Sequence, residues 1–377
     1  MKKLYGLATA AVFLAGSAGI ATADGEGPHF TFGAATSYVY DINDPDPENA
    51  SSDTISNNRD LYSNYEQDES FNIDLVQLGV SGERGPVMYG AKIDLGDLAA
   101  RAGDSIDGDI ALQEAYLGID ASGFLITAGR FGTPIGYEVL EPWSNPHISR
   151  SRAWNNQPVN HDGVTVSHSV SGLDLMLGIV NGFTVADPGG NNPDDEYGIL
   201  WAVGTTVGDL WLGTSGIYTE EGDAVDTLFI NAIASGTYGS CRYGIEGNYK
   251  EDDPDPEGNA LPGTFTEREF WNITLYGGAD LTDQWSTDLR FSYSDIESQS
   301  RTFSRGPGSV DSFKSEDEIW SVTATVGYEI TPGVTVRGEY RHDDSDQNIF
   351  ADDDSNGSPK DTVDVLQLQL LWTPEID

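Results

Sequence analysis

The segment Val363–Trp372 alternates without a break: Leu366, Leu368, Leu370 and Trp372 share one face, and Gln367 and Gln369 the other. A two-residue period is the mark of a β-strand, whose successive side chains point to opposite faces. A wholly apolar face opposite a polar one, ending in an aromatic residue, suits a wall between hydrocarbon and water. The same pattern recurs along the chain, and this recurrence restricts the fold more than any single residue does.

The first residues read as a cleaved export signal over 1–23. Lys2 and Lys3 precede an apolar stretch from Leu4 to Ile20, interrupted by Gly6, Gly16, Ser17 and Gly19, and Ala21-Thr22-Ala23 is a small-x-small cleavage site. Beyond it no apolar run reaches the roughly 20 residues a spanning helix needs. Turn and strand formers dominate instead, with 44 Gly, 17 Tyr, 14 Phe and 8 Trp. If such a chain crosses a membrane it must do so as a closed barrel, since only helices and barrels satisfy every backbone polar group in lipid. Without Lys2 and Lys3, 17 basic residues face 62 acidic ones. That balance excludes nucleic acid as a partner. Cys241 is the one cysteine, so no intramolecular disulfide can form.

Reading the alternation from Phe30 onward gives 16 strands, the first at Phe30–Tyr40 and the last at Val363–Trp372. Short turns such as Ala121-Ser122-Gly123, Ser171-Gly172, Gly236-Thr237 and Thr331-Pro332-Gly333 alternate with long loops. An even-numbered meander with long loops at one end is the outer-membrane barrel pattern. A soluble β-sandwich shares the alternation. It does not explain Trp271, Trp285, Trp320 and Trp372 at strand ends, where interfacial girdles would lie. The reading is therefore all-β: a transmembrane antiparallel barrel over 24–377, placed in the bacterial outer membrane and in contact with its lipid. The apolar phase slips near Val76–Val80, which a β-bulge would explain.

The connection Thr133–Asn160 differs from the other long loops. It is not an acidic run but carries prolines, Trp143, Trp154 and mixed charges, so an ordered element that packs inside the barrel is expected. Gly129-Arg130-Phe131-Gly132-Thr133-Pro134-Ile135-Gly136-Tyr137-Glu138, then Asn145-Pro146, then His161-Asp162-Gly163-Val164, resembles the OmpL-like beta-barrel porin family. The motif covers Arg130–Val164; elsewhere the match is one of strand grammar. The resemblance implies a water-filled pore for passive diffusion of ions and small hydrophilic solutes. By analogy with porins of this size it also implies a homotrimer. One departure is the tail Thr373–Asp377 after Trp372, where many such barrels end on an aromatic residue.

Strand parity assigns lumen charges. With Leu125, Thr127, Gly129 and Phe131 toward lipid, Arg130 turns inward. The same argument turns Arg242, Asp288, Arg290, Arg337, Glu339 and Arg341 inward. Arg at the midplane of a lipid face would cost about 2–4 kcal/mol, which favours inward placement. The expected constriction opposes these arginines to Glu138 and Glu141 of the loop, with Arg150 and Arg152 beside them, so that a transverse field filters solutes. The simpler reading pairs each arginine with a lumen acid such as Asp288 or Glu339.

Acidic segments, Asp44–Glu48, Asp253–Glu257 and Asp343–Asp354, form an external rim that could hold divalent cations. Asp352–Gly357 resembles the start of a calcium loop, but position twelve is Val363 rather than Glu, so no EF-hand is expected. No cofactor motif is present. An enzyme is not expected either: His29, His147, His161, His168 and His342 are scattered, and Ser167 and Ser169 lie on the strand face opposite His168. Two alternatives stay open. One is a solute-specific channel. The other is a surface barrel whose acidic loops bind divalent cations or a surface layer.

Overall fold

The computed structural model describes residues 27–42, 70–102, 109–183, 197–221, 225–254, 263–303, 309–350 and 360–373. The expected signal peptide lies outside them, as do Asp44–Glu48, 255–257 and 351–359, and with them the calcium-loop sequence.

Sixteen strands close into one antiparallel barrel. They are β1 His29–Asp41, β2 Ser70–Arg84, β3 Val87–Leu95, β4 Ile110–Ala121, β5 Phe124–Gly132, β6 Asn160–Val170, β7 Leu173–Val180 and β8 Gly198–Val207. The second half comprises β9 Leu210–Glu221, β10 Val225–Tyr238, β11 Cys241–Pro254, β12 Gly263–Asp280, β13 Trp285–Phe303, β14 Ser309–Thr331, β15 Val334–Ser345 and β16 Thr362–Trp372. Each strand pairs with its sequence neighbours, and β16 closes on β1 with Trp372 beside Ala34 and Leu366 beside Tyr40. Among the described residues no helix is long and apolar enough to cross a membrane; the strands do so.

The alternation sorts the faces as the sequence suggests. In β16, Leu366, Leu368, Leu370 and Trp372 are exposed outward, while Gln367 and Gln369 are buried inside. Outward Leu117, Ile119, Leu177, Ile179 and Leu289 continue the apolar coat. Such a coat has its counterpart in hydrocarbon rather than in a second protein layer.

Three features depart from the sequence reading. The β10–β11 turn falls at Gly239-Ser240, not Gly236-Thr237, because Gly239 takes the positive φ of 64° that opens the tight turn. Strands β12–β14 run far beyond the expected Trp271–Leu281, Trp285–Asp295 and Trp320–Ile330, to Gly263, Phe303 and Ser309. Their extensions are rich in Ser, Thr and Glu with only scattered apolar residues, so no regular alternation marks them, yet the backbone ladder continues. Finally, the phase slip in β2 is a bulge at Asp74: Ala35 pairs with Leu75 and Thr36 with Ile73. A second bulge in β4 lies at Gln113, since Lys92 pairs with Glu114 and Ile93 with Leu112. Each bulge turns two neighbouring side chains inward, Asp74 with Leu75 and Gln113 with Glu114.

Candidate functional site

The loop between β5 and β6 folds into the barrel and reaches both sides of it. On one side Lys92 Nζ of β3 lies 3.1 Å from Glu141 Oε1. On the other, the backbone N–H of Tyr137 donates to Glu246 Oε1 of β11 at 3.1 Å. β3 and β11 sit eight strands apart in the ring of 16, so these anchors are diametrically opposed.

The loop has an internal frame. Asn145 accepts from the Val139 N–H at 2.9 Å and donates to the carbonyls of Val139 and Glu141 at 2.7 and 2.6 Å. Arg150, 2% exposed, donates to the carbonyls of Ile148 and Leu140, both at 3.1 Å, and its guanidinium lies 5.6 Å from the Trp154 ring centroid. Ser151 caps the short helix α1, Arg152–Asn156. Arg150 is therefore a brace within the loop rather than a lumen charge, and Arg152 opens α1.

Apolar contacts seat the loop from below. Ile135 packs with Phe131, Val180, Phe183, Leu200, Ile217 and Phe229 on the inner wall of β5–β10. Tyr137 lies against Met176, Ala202, Trp211 and Ile233, and stacks on Tyr276 with centroids 4.0 Å apart. Leu140, Trp143 and Trp154 pack with Leu75 of β2. The lumen wall is thus apolar where Ile135, Tyr137, Leu140, Trp143 and Trp154 rest on it.

Polar tethers then fix the far half of the loop to β13–β15. Arg290 donates to Glu138 Oε1 at 2.6 Å and to Ser149 O and Oγ at 2.9 Å each. Glu138 Oε2 accepts from the N–H and hydroxyl of Ser151 at 2.7 and 2.6 Å. Glu339 accepts from the backbone N–H groups of Ile148 and Ser149 at 2.7 and 2.9 Å. Arg337 donates to the carbonyls of Asn145 and Pro142 at 2.6 and 3.2 Å and also bonds Gln369. Arg341 donates to the Arg150 carbonyl at 2.7 Å and pairs with Asp343 through both oxygens. Arg290, Arg337, Glu339 and Arg341 are all buried against the loop. Their geometry differs from the expected one: they grip the loop in contact rather than face it across open water. Arg242 instead pairs with Asp280 at 2.7 Å and Asp288 at 2.9 Å, which is the simpler pairing the sequence suggested.

Arg130 is placed differently from expectation. In β5, Phe124, Ile126, Ala128 and Gly129 are exposed, while Thr127, Arg130 and Phe131 are buried. Arg130 shares the parity of Phe124 and Ile126 but is 9% exposed; it pairs in register with Asp162 and forms a bidentate contact with it at 2.7 and 2.8 Å. It also donates to the Leu112 carbonyl. The alternation does not fix the phase here, because β5 is apolar on both faces and Phe131 serves the interior cluster.

Sequence reasoning missed Lys92, Gln77 and Gln113, which hold Glu141. Lys92 bridges Glu114 at 2.9 Å and Glu141, and the Gln77 and Gln113 amides reach the same Glu141 oxygen. The signal was available: Lys92 is an inward basic residue in a chain with few of them. Burial alone would raise the Glu141 pKa, but the Lys92 ammonium and these hydrogen bonds hold it down at about 2. His147 is fully buried, with Nδ1 2.8 Å from Thr325 Oγ1. Burial first, then the charges of Arg290, Arg337, Arg150 and Arg341, keep it well below the ordinary value of 6.5, so it is neutral. Among the described residues no cluster of His, Cys, Asp and Glu is arranged to hold a metal ion.

A closed 16-stranded barrel, apolar outside, with an ordered loop folded through its lumen, is the architecture of an outer-membrane channel. The chain belongs to the family described as "Putative beta-barrel porin-2, OmpL-like", whose model matches residues 29–370. It is an outer-membrane porin of bacteria, a channel rather than an enzyme. No curated protein sequence matches it. Its fold is similar to that of OmpT of Vibrio cholerae in a trimer form, at 14% identity and a TM-score of 0.58, over 92% of this chain and 99% of that one. An anion-selective porin from Comamonas acidovorans is similar at 11% identity and 0.57, over 92% and 100% of the two chains. The outer-membrane channel DcaP of Acinetobacter baumannii is similar at 10% and 0.57, over 92% and 97%. At these identities the likeness is one of fold.

Proposed function

We propose that the barrel passes ions and small hydrophilic solutes by passive diffusion, and that the loop over 133–160 is its constriction. The observation that carries this reading is the wall-to-wall span of the loop, from Lys92–Glu141 to Tyr137–Glu246. A loop clamped at opposite sides narrows what passes beside it and lets polar, hydrated solutes through by size and charge. The test is recording from purified, heat-modifiable protein in a planar bilayer, with liposome swelling by small sugars alongside. Stable conductance and swelling are expected; a folded barrel that gives neither would refute the reading.

The assembly we propose is a homotrimer in outer-membrane lipid. An outward groove on β2–β5 is floored by Ala91, Ala115 and Ala128 and rimmed by Tyr89 and Leu117. Beyond it lies the outward Arg130–Asp162 pair. Charge is costly against hydrocarbon, so this face suits a second copy better than acyl chains. The trimer form of the V. cholerae OmpT neighbour supports the same reading. Cross-linking in mild detergent should trap three chains, and Arg130→Leu with Asp162→Leu should reduce the product to one.

A further inference from the structure

This inference rests on the diffusion-channel reading and concerns which ions the constriction favours. We propose that the seam between the loop and β2–β4, formed by Asp94, Glu114 and Glu141 around Lys92, is a station for hydrated monovalent cations and makes the pore cation-selective.

The seam has more acceptors than donors. One ammonium, Lys92, serves Glu114 at 2.9 Å and Glu141 at 3.1 Å. The Gln77 amide nitrogen has three acceptors within reach: Gln113 Oε1 at 2.6 Å, Asp94 Oδ1 at 3.0 Å and Glu141 Oε1 at 3.2 Å. An amide nitrogen carries two hydrogens, so it cannot satisfy all three. Asp94 is fully buried, and its second oxygen, Oδ2, has no hydrogen-bond partner. The shared Gln77 amide, 3.0 Å from Asp94 and 3.2 Å from Glu141, places the Asp94 carboxyl within the cluster. A buried, unpartnered carboxylate oxygen calls for a positive or donating group.

Access and contrast complete the argument. The side chains of Lys92 and Glu141 remain 23% and 14% exposed, so the seam opens to the lumen. Elsewhere on the lumen, Arg290, Arg341 and Arg242 are each closed in contact with a carboxylate. At the seam three carboxylates, Asp94, Glu114 and Glu141, share one ammonium, so its local excess charge is negative. The carboxylates do not converge as a metal cage, so the station takes a cation in passing.

The test is the reversal potential of single channels across a KCl gradient, for the wild type, Asp94→Asn and Glu114→Gln. Both variants leave the acidic external loops unchanged, so they separate the seam from the rim. The wild type is expected to favour K⁺. Each variant should lower the K⁺/Cl⁻ permeability ratio about tenfold: one unit charge about 6 Å from a permeating ion in water carries a Boltzmann factor of about three, and its loss acts on K⁺ and Cl⁻ in opposite directions. Glu114→Gln serves if Asp94→Asn fails to fold, with heat-modifiability as the check. A wild type that favours Cl⁻, or a ratio unchanged in the variants, overturns the station while leaving the channel intact. A folded wild type with no conductance overturns the channel reading itself, and the station with it.

Discussion

Arg290→Ala should release the loop. The guanidinium is 1% exposed and bonds Glu138, both oxygens of Ser149 and the Thr323 hydroxyl. Truncation strands the Glu138 carboxylate, itself 2% exposed, without its cation. Breaking a buried pair by removing one partner costs about 3–5 kcal/mol. Ser151 would still donate two hydrogen bonds to Glu138, so the lower part of that range, about 3–4 kcal/mol, is appropriate. In the released loop Glu138 is hydrated and the penalty vanishes, so the whole of it acts against docking. At about 1.4 kcal/mol per factor of ten, the released population rises by roughly two to three orders of magnitude. Trypsin reads that population directly, because Arg150 is buried and Arg152 half-buried in the docked loop. Cleavage of an open state in fast exchange tracks its equilibrium population. The folded wild type should resist cutting at Arg150 and Arg152, and Arg290→Ala should be cut there faster by that factor. Arg290→Met combined with Glu138→Gln should regain most of the protection, since no charge is left stranded. A cleavage rate for Arg290→Ala within about threefold of wild type, from a barrel that remains heat-modifiable, would refute the reasoning.

Acid should loosen the same loop. Released His147 takes a proton near its ordinary value of 6.5, whereas the docked ring, held neutral by burial and four arginines, does not. The released state therefore binds more protons, and docking weakens as pH falls below about 6.5, by up to about 1.4 kcal/mol per unit. Open-channel noise should grow between pH 7.5 and 5 and flatten in His147→Asn; a flat wild-type profile contradicts this. Glu141, held at about 2, stays ionised through that window and contributes nothing to it. Gly33→Val in β1 should displace Trp143, because even a Cβ there would stand 2.3 Å from the indole ring. Tryptic cutting of the loop should rise, and unchanged protection would show that the ring has room to move.

The wall of this protein was legible in its sequence because lipid imposes a strict rule on it. From Leu366 to Trp372 every outward residue of β16 is apolar, and both inward ones in Leu366–Leu370 are glutamine, so parity and face agree. The rule weakens where the interior is also apolar. Phe131 and Thr127 were assigned to lipid because the inner cluster around Phe229 and Leu200 cannot be inferred from one strand at a time. Bulges are similarly hidden: the slip near Val76 was visible, but its cause at Asp74 depends on pairing with β1. The candidate site divides in the same way. Alternation places Arg290, Arg337, Glu339 and Arg341 inside, but it cannot say whether an inward charge meets water or loop. That depends on contacts between residues 138–151 and strands nearly 200 positions away, such as Arg337 with Pro142 and Asn145.

The central claim is that the loop spanning β3 to β11 sets the width of the passage. The most direct measurement is single-channel conductance after residues 138–151 are replaced by a short Gly-Ser link, with the barrel shown to be folded by heat-modifiability. Conductance well above that of the intact chain is the predicted result. Conductance equal to that of the intact chain would show that ions cross elsewhere and that the loop does not constrict the pore.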